Sequence, residues 1–204
     1  MKLRRAHASG WALFAATAHH DERGWLAETL RTEVLREHAG PLAIAQQNLS
    51  RSRRGALRGL HYQLGPPQGK LVQVIEGCVF DVIVDMRRGS PDFGASFALE
   101  LGGGEPQMLW MPPGFAHGFL ALKDSLVLYG MTQPWSPLHE RAIRWDSPEL
   151  HIDWPLAGAQ PILSARDRDA PTFGEAEPFG PGADTAFGPD GDTRTPDEHR
   201  QRRR

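Results

Sequence analysis

Short apolar runs, closed again and again by glycine or proline turns, restrict this chain to a β architecture. The clearest pair is Lys70–Glu76 and Val79–Met86, joined at Gly77. In the second run Phe80, Val82, Val84 and Met86 fall on one side and Val79, Asp81, Ile83 and Asp85 on the other, so two carboxylates share a face. Further strand-like runs cover Leu42–Ser50, Phe97–Leu101, Gln107–Met111, Gly118–Leu122 and Ser125–Met131. Arg88-Gly89-Ser90-Pro91 and Pro112-Pro113-Gly114 are turn signals. Only Glu28–His38 carries a helical period. Many short strands with few helices predict an all-β sandwich or barrel.

Of the 204 residues, 40% are apolar, with six Trp and nine Phe, enough for one packed core. The expected domain is 1–174. Residues 175–204 mix Gly, Pro and Asp with almost no aliphatic side chains, a composition that does not offset its ordering entropy, and are expected to be a disordered tail with a solvated Arg cluster at its end. A formal net charge of −2 gives no global field that attracts nucleic acid or a membrane surface. Arg outnumbers Lys, and Arg is the better bidentate partner for phosphate. The single Cys78 excludes an intramolecular disulfide, and no Cys/His spacing matches a zinc site. The N-terminus lacks the apolar core of a signal peptide, and no run approaches a membrane span, so a soluble cytoplasmic protein is expected.

Polar residues collect where strands normally avoid them. Asp21-Glu22-Arg23-Gly24 precedes Trp25 and Glu28; Gln46-Gln47-Asn48 interrupts an apolar strand; Arg58 to Gln63 is followed by Lys70, and Phe115 to Phe119 by Tyr129. Strand alternation puts Arg58, Leu60 and Tyr62 opposite Gly59, His61 and Gln63. The mouth of a small barrel admits one ligand, and His61, Lys70, His117 and Tyr129 suit proton transfer beside a carbonyl. Taken singly, each has a plainer reading: a hydrogen-bonded structural His, a core Tyr, an edge-strand Lys, and a solvent-facing Asp81 and Asp85.

At these segments the sequence resembles the dTDP-4-dehydrorhamnose 3,5-epimerase family. The matching stretches are DERGWLAE, IAQQNLSRSRRGALRGLHYQ, KLVQVIEGCVFDVIVDMRRGSPDFG, LWMPPGFAHGFLAL, YGMTQPWSPLHERAIRWDSPELHIDWP and ILSARDRDAP, in order from Asp21 to Pro171. The resemblance implies a double-stranded β-helix of the cupin (jelly-roll) type with short peripheral helices, a homodimer, and catalysis without metal or organic cofactor. It implies the dTDP-4-keto-6-deoxy sugar of dTDP-L-rhamnose synthesis as substrate, inverted at C3 and C5 through an enolate. His61 is then the base, Asp167 its carboxylate partner, Tyr129 the acid, and Lys70 a stabiliser of charge on the ketone or diphosphate. Arg23, Glu28, Gln46, Asn48, Arg58, His117, Trp135, Glu140 and Arg166 match substrate-contacting positions. Asp81 also matches a recurrent acidic position, so two carboxylates compete as partner of His61. The sequence departs from the family at Arg166, where Lys is frequent, at Trp135, where Tyr is common, and at Gly130, where Lys often follows the acid Tyr.

Three other readings predict different behaviour. A mono-epimerase or ketoisomerase shares fold and base and holds the ring differently. A metal-dependent cupin needs a second His one residue from the first, and Gln63 stands there instead. A non-catalytic nucleotide-binding barrel binds dTDP without exchanging protons on the sugar.

Overall fold

The computed structural model describes residues 1–180. Thirteen strands run in chain order: β1 Lys2–Ala6, β2 Ala12–Ala15, β3 Ala18–Asp21, β4 Gly24–Ala27, β5 Gln46–Ser52, β6 Leu57–Gln63, β7 Lys70–Glu76, β8 Cys78–Asp85, β9 Ser96–Gly102, β10 Gln107–Met111, β11 Phe115–Ala121, β12 Ser125–Met131 and β13 Glu140–Ala142. Helix α1 covers Thr32–Ala39 and α2 Ala165–Arg168. The first helix begins later than its periodicity predicts, because Arg31, its N-cap, has an extended backbone at φ −127° and ψ 113°.

The strands form a six-stranded sheet, β1-β2-β10-β7-β12-β5, facing a five-stranded sheet, β13-β6-β11-β8-β9, with β3 and β4 paired separately. This is the all-β jelly-roll sandwich that the alternating runs and the family resemblance imply. Trp11, Val72, Val79, Ile83, Leu109, Phe119 and Val127 pack between the two sheets. Each such side chain contributes about 1.5–3 kcal/mol on burial. Behind the five-stranded sheet lies a second core, where Leu60, Tyr62, Val82, Val84 and Met86 meet Ile143, Leu150 and Phe179. The two faces of β8 therefore divide as its alternation predicts. A third cluster seats α1 on the six-stranded sheet through Leu35, Phe14, Leu71 and Trp110.

Two expectations are corrected. Residues 175–180, expected from composition to belong to the disordered tail, lie against the fold: Phe179 is buried and packs at a tilt against Tyr62, its N–H donates to the Met86 carbonyl at 2.9 Å, and the Tyr62 hydroxyl donates to the Glu177 carbonyl at 2.6 Å. One aromatic ring with an apolar socket outweighs the polar residues around it. The remainder of that expected tail, 181–204, lies outside the described residues.

The second correction concerns β6. Its register against β11 runs from His117↔His61 to Phe119↔Arg58, two residues on one strand and three on the other. This bulge breaks the two-residue period, so Arg58 and His61 come to the same pocket instead of opposing each other. Gly59 permits it: at φ +116° its backbone approaches β11 so closely that a Cβ there meets the Gly118 Cα at 2.5 Å. A Cβ on Gly118 meets the Arg58 carbonyl oxygen at 2.6 Å, so both glycines are required.

Candidate active site

One cavity of about 500 Å³ opens between the sheets. The six-stranded sheet supplies Gln46 and Asn48 from β5, Lys70 from β7, and Tyr129 and Met131 from β12. The five-stranded sheet supplies Arg58 and His61 from β6 and His117 and Phe119 from β11. Trp135, Glu140, Ser164, Arg166 and Asp167 complete the wall. Eleven of the thirteen residues singled out in the sequence thus converge. Arg23 and Glu28 do not: on and just beyond the β3–β4 hairpin, Arg23 bonds Asp21 while Glu28 bonds Arg31 and the N-terminal ammonium.

His61 Nε2 lies 2.6 Å from Asp167 Oδ1. The short helix α2 sets this carboxylate in place: Ser164 caps it, accepting the Asp167 N–H at 3.1 Å. Burial works to raise the Asp167 pKa, but the His61 ring, the Ser164 hydroxyl and the Gly59 N–H hold it below the ordinary carboxylate value. An ionised Asp167 accepts from Nε2–H and leaves Nδ1 as the basic nitrogen.

The competing carboxylate has a different partner. Asp81 Oδ2 lies 2.9 Å from His117 Nε2, both groups being buried, and its Oδ1 has no hydrogen-bond partner among the described residues. Two His–Asp pairs therefore share one pocket, their histidines directly opposed across β6 and β11. Lys70 is buried in the same pocket, its ammonium donating to the His61 carbonyl at 2.8 Å. Burial pushes its pKa down to about 8, against the nearby charges of Glu140 and Asp81. Tyr129 enters from the facing sheet, near the rings of His117 and Phe119, and shares a 3.1 Å hydrogen bond with Ser50. Burial pushes its pKa up to about 12.

At the rim, the Trp135 indole N–H donates to Glu140 at 2.7 Å and its backbone N–H to Gln46 at 2.8 Å, while Arg166 donates to the same Glu140 oxygen at 2.5 Å. Arg58 donates from Nε to Ser52 at 2.9 Å. Gln63 is committed to the Pro66 and Pro134 carbonyls and the Ser136 N–H, so it lies outside the pocket wall as a structural residue. No group of three His, Cys, Asp or Glu side chains among the described residues converges as metal ligands do. Gly130 faces away from the cavity, toward Ile44 and Leu71, so the Lys frequent at that position has no counterpart to lose inside the pocket.

The model of the dTDP-4-dehydrorhamnose 3,5-epimerase family matches residues 5–175. This chain belongs to that family. It is 45% identical over 181 residues to the dTDP-4-dehydrorhamnose 3,5-epimerase of Pseudomonas aeruginosa, covering 88% of this chain and 99% of the relative. It superposes with a TM-score of 0.81 on an epimerase of Legionella pneumophila solved with dTDP-4-keto-L-rhamnose, at 38% identity over 85% of this chain and 93% of that one. A double-mutant 3'-monoepimerase from Streptomyces bikiniensis, solved with dTDP, also gives a TM-score of 0.81, at 31% identity over 87% of this chain and 94% of that one.

Sequence reasoning about this epimerase missed Ser50, Ser52 and Ser164. The first two were signalled by β5, where Gln46, Asn48, Ser50 and Ser52 alternate with outward Gln47, Leu49 and Arg51. A strand whose inward side is its polar side lines a site.

Proposed function

We propose that the enzyme inverts C3 and C5 of dTDP-4-dehydro-6-deoxy-D-glucose, giving dTDP-4-dehydro-L-rhamnose for dTDP-L-rhamnose synthesis. One observation carries the reading: a carboxylate-held imidazole and a phenol enter a single pocket from two facing sheets. The C4 ketone acidifies the hydrogens on C3 and C5. His61 removes one of them through Nδ1, and Asp167 stabilises the imidazolium that forms. Lys70, with Arg58 and the His117–Asp81 pair beside it, stabilises negative charge developing on the ketone oxygen. Tyr129 then delivers a proton to the opposite face of the carbon, which inverts it. Gln46, Asn48, Glu140 and Arg166 hold the nucleotide and sugar, and Trp135 offers a stacking surface to the base. None of these steps calls on a metal or organic cofactor.

Two chains complete the site. Among the described residues the β3–β4 hairpin pairs with no other strand, and its Trp25 and Leu26 are 60% and 76% exposed. The outer face of the six-stranded sheet exposes Leu49 and Ile75, 59% and 55% accessible. A homodimer formed over these surfaces covers them and carries Arg23 and Glu28 toward the partner's pocket. No described helix is long and apolar enough to cross a membrane. With a nucleotide sugar as substrate, the cytoplasm is where the enzyme acts.

The mono-epimerase is the second reading, favoured by the likeness to the Streptomyces bikiniensis enzyme. His61→Ala against Tyr129→Phe tests the division of labour that both readings share. His61→Ala lowers turnover and solvent exchange together, by about 10²–10⁴-fold, since enolate formation is common to both. Tyr129→Phe lets deuterium into the sugar while inverted product falls by a similar factor. A Tyr129→Phe enzyme that inverts at the wild-type rate removes Tyr129 from the role of acid.

A further inference from the structure

We infer that Ser50 is a positioning residue for Tyr129: it aims the phenol and returns its proton between the two inversions. The inference rests on Tyr129 being the acid, as proposed above. The Ser50 Oγ lies 3.1 Å from the Tyr129 Oη, and the two residues sit diagonally across the β5–β12 pairing, in which Tyr129 faces Asn48 and Val127 faces Ser50. The aromatic rings of His117 and Phe119 flank the phenol without offering it an oxygen.

Ser50 does not line the cavity itself. It is half-buried on β5, the edge strand of its sheet, and its hydroxyl meets a Tyr129 that is itself half-buried and lines the cavity. Its neighbours on the same face have parallel duties. Gln46 holds the Trp135 backbone and Ser52 holds Arg58. The inward side of β5 is a row of polar groups, each fixing one residue of the pocket.

Proton counting gives this contact a consequence. Each inversion moves one proton from carbon to His61 and one from the Tyr129 O–H to carbon. A second inversion on the same sugar therefore needs a neutral His61 and a re-protonated Tyr129. His61, about a quarter exposed, releases its proton to solvent. The Tyr129 phenolate takes the Ser50 hydroxyl proton as the Tyr O–H forms. Ser50 regains a proton from water, and the proton released by His61 neutralises the hydroxide left behind. Without Ser50 the first inversion proceeds from the phenol already protonated, and the second waits.

The test follows products by NMR in deuterated water for wild type, Ser50→Ala, Ser50→Thr and Tyr129→Phe. Ser50→Ala is expected to raise the ratio of singly to doubly inverted sugar by about 2- to 10-fold, the span commanded by one hydrogen bond, with KM nearly unchanged. Ser50→Thr keeps the hydroxyl and restores the wild-type ratio. An unchanged ratio in Ser50→Ala overturns the inference, even if overall turnover falls. If Tyr129→Phe blocks inversion and Ser50→Ala leaves the ratio alone, only the role of Ser50 fails. If Tyr129→Phe inverts normally, the assignment of the acid fails and this inference with it.

Discussion

Lys70 places its ammonium inside the sandwich, 2.8 Å from the carbonyl oxygen of the residue proposed as base. Its folded pKa, about 8, lies below the ordinary 10.5, so protonation costs the folded state about 3 kcal/mol. That cost is full below pH 8, fades as pH rises toward 10.5, and is gone above it. Lys70→Met is therefore expected to raise the melting temperature at pH 7, with the gain shrinking at pH 10, while kcat/KM falls. In the wild type, kcat/KM falls as pH rises through about 8 and the ammonium is lost, which a pH–rate profile reads directly. A profile flat to pH 10 removes the charged Lys70 from the reaction. The residue types at the site were legible in the sequence, but their pairing was not. His61 and Asp167 stand 106 positions apart, and the choice between Asp81 and Asp167 is settled only when β6, β8, β11 and α2 are brought together.

Among the elements, the segment 175–180 gives the clearest prediction. Phe179 fills a socket formed with Tyr62 behind β6, the strand that carries His61. Truncation after Gly180 is expected to leave the melting temperature near wild type, whereas Phe179→Ala costs about 3–5 kcal/mol, measured by denaturant unfolding. A neutral Phe179→Ala shows that the segment merely rests on the surface. Composition hid this contact, since a lone Phe among Glu, Pro and Gly reads as solvated chain. β8 is legible in the sequence because its alternation is regular and both of its faces are buried. The facing of β6 is not, because a bulge shifts the period and leaves no mark in the sequence beyond Gly59. β11 begins at Phe115, ahead of the apolar run that announced it, because His117 takes its place in the strand by pairing with Asp81.

At the scale of the whole molecule, the exposed hairpin and the apolar outer face of the six-stranded sheet argue for a second copy. Introducing charge at Leu49→Glu with Ile75→Lys is expected to shift sedimentation from dimer to monomer and to raise KM, since the proposed homodimer carries Arg23 and Glu28 to the partner's pocket. A fully active monomer contradicts that arrangement. Whether one pocket runs two inversions on one sugar is decided by NMR of the 4-keto sugar nucleotide incubated with wild-type enzyme in deuterated water. Deuterium is expected at both C3 and C5, with both centres inverted in the product. Deuterium and inversion confined to one carbon, or no deuterium at either, contradicts the double inversion.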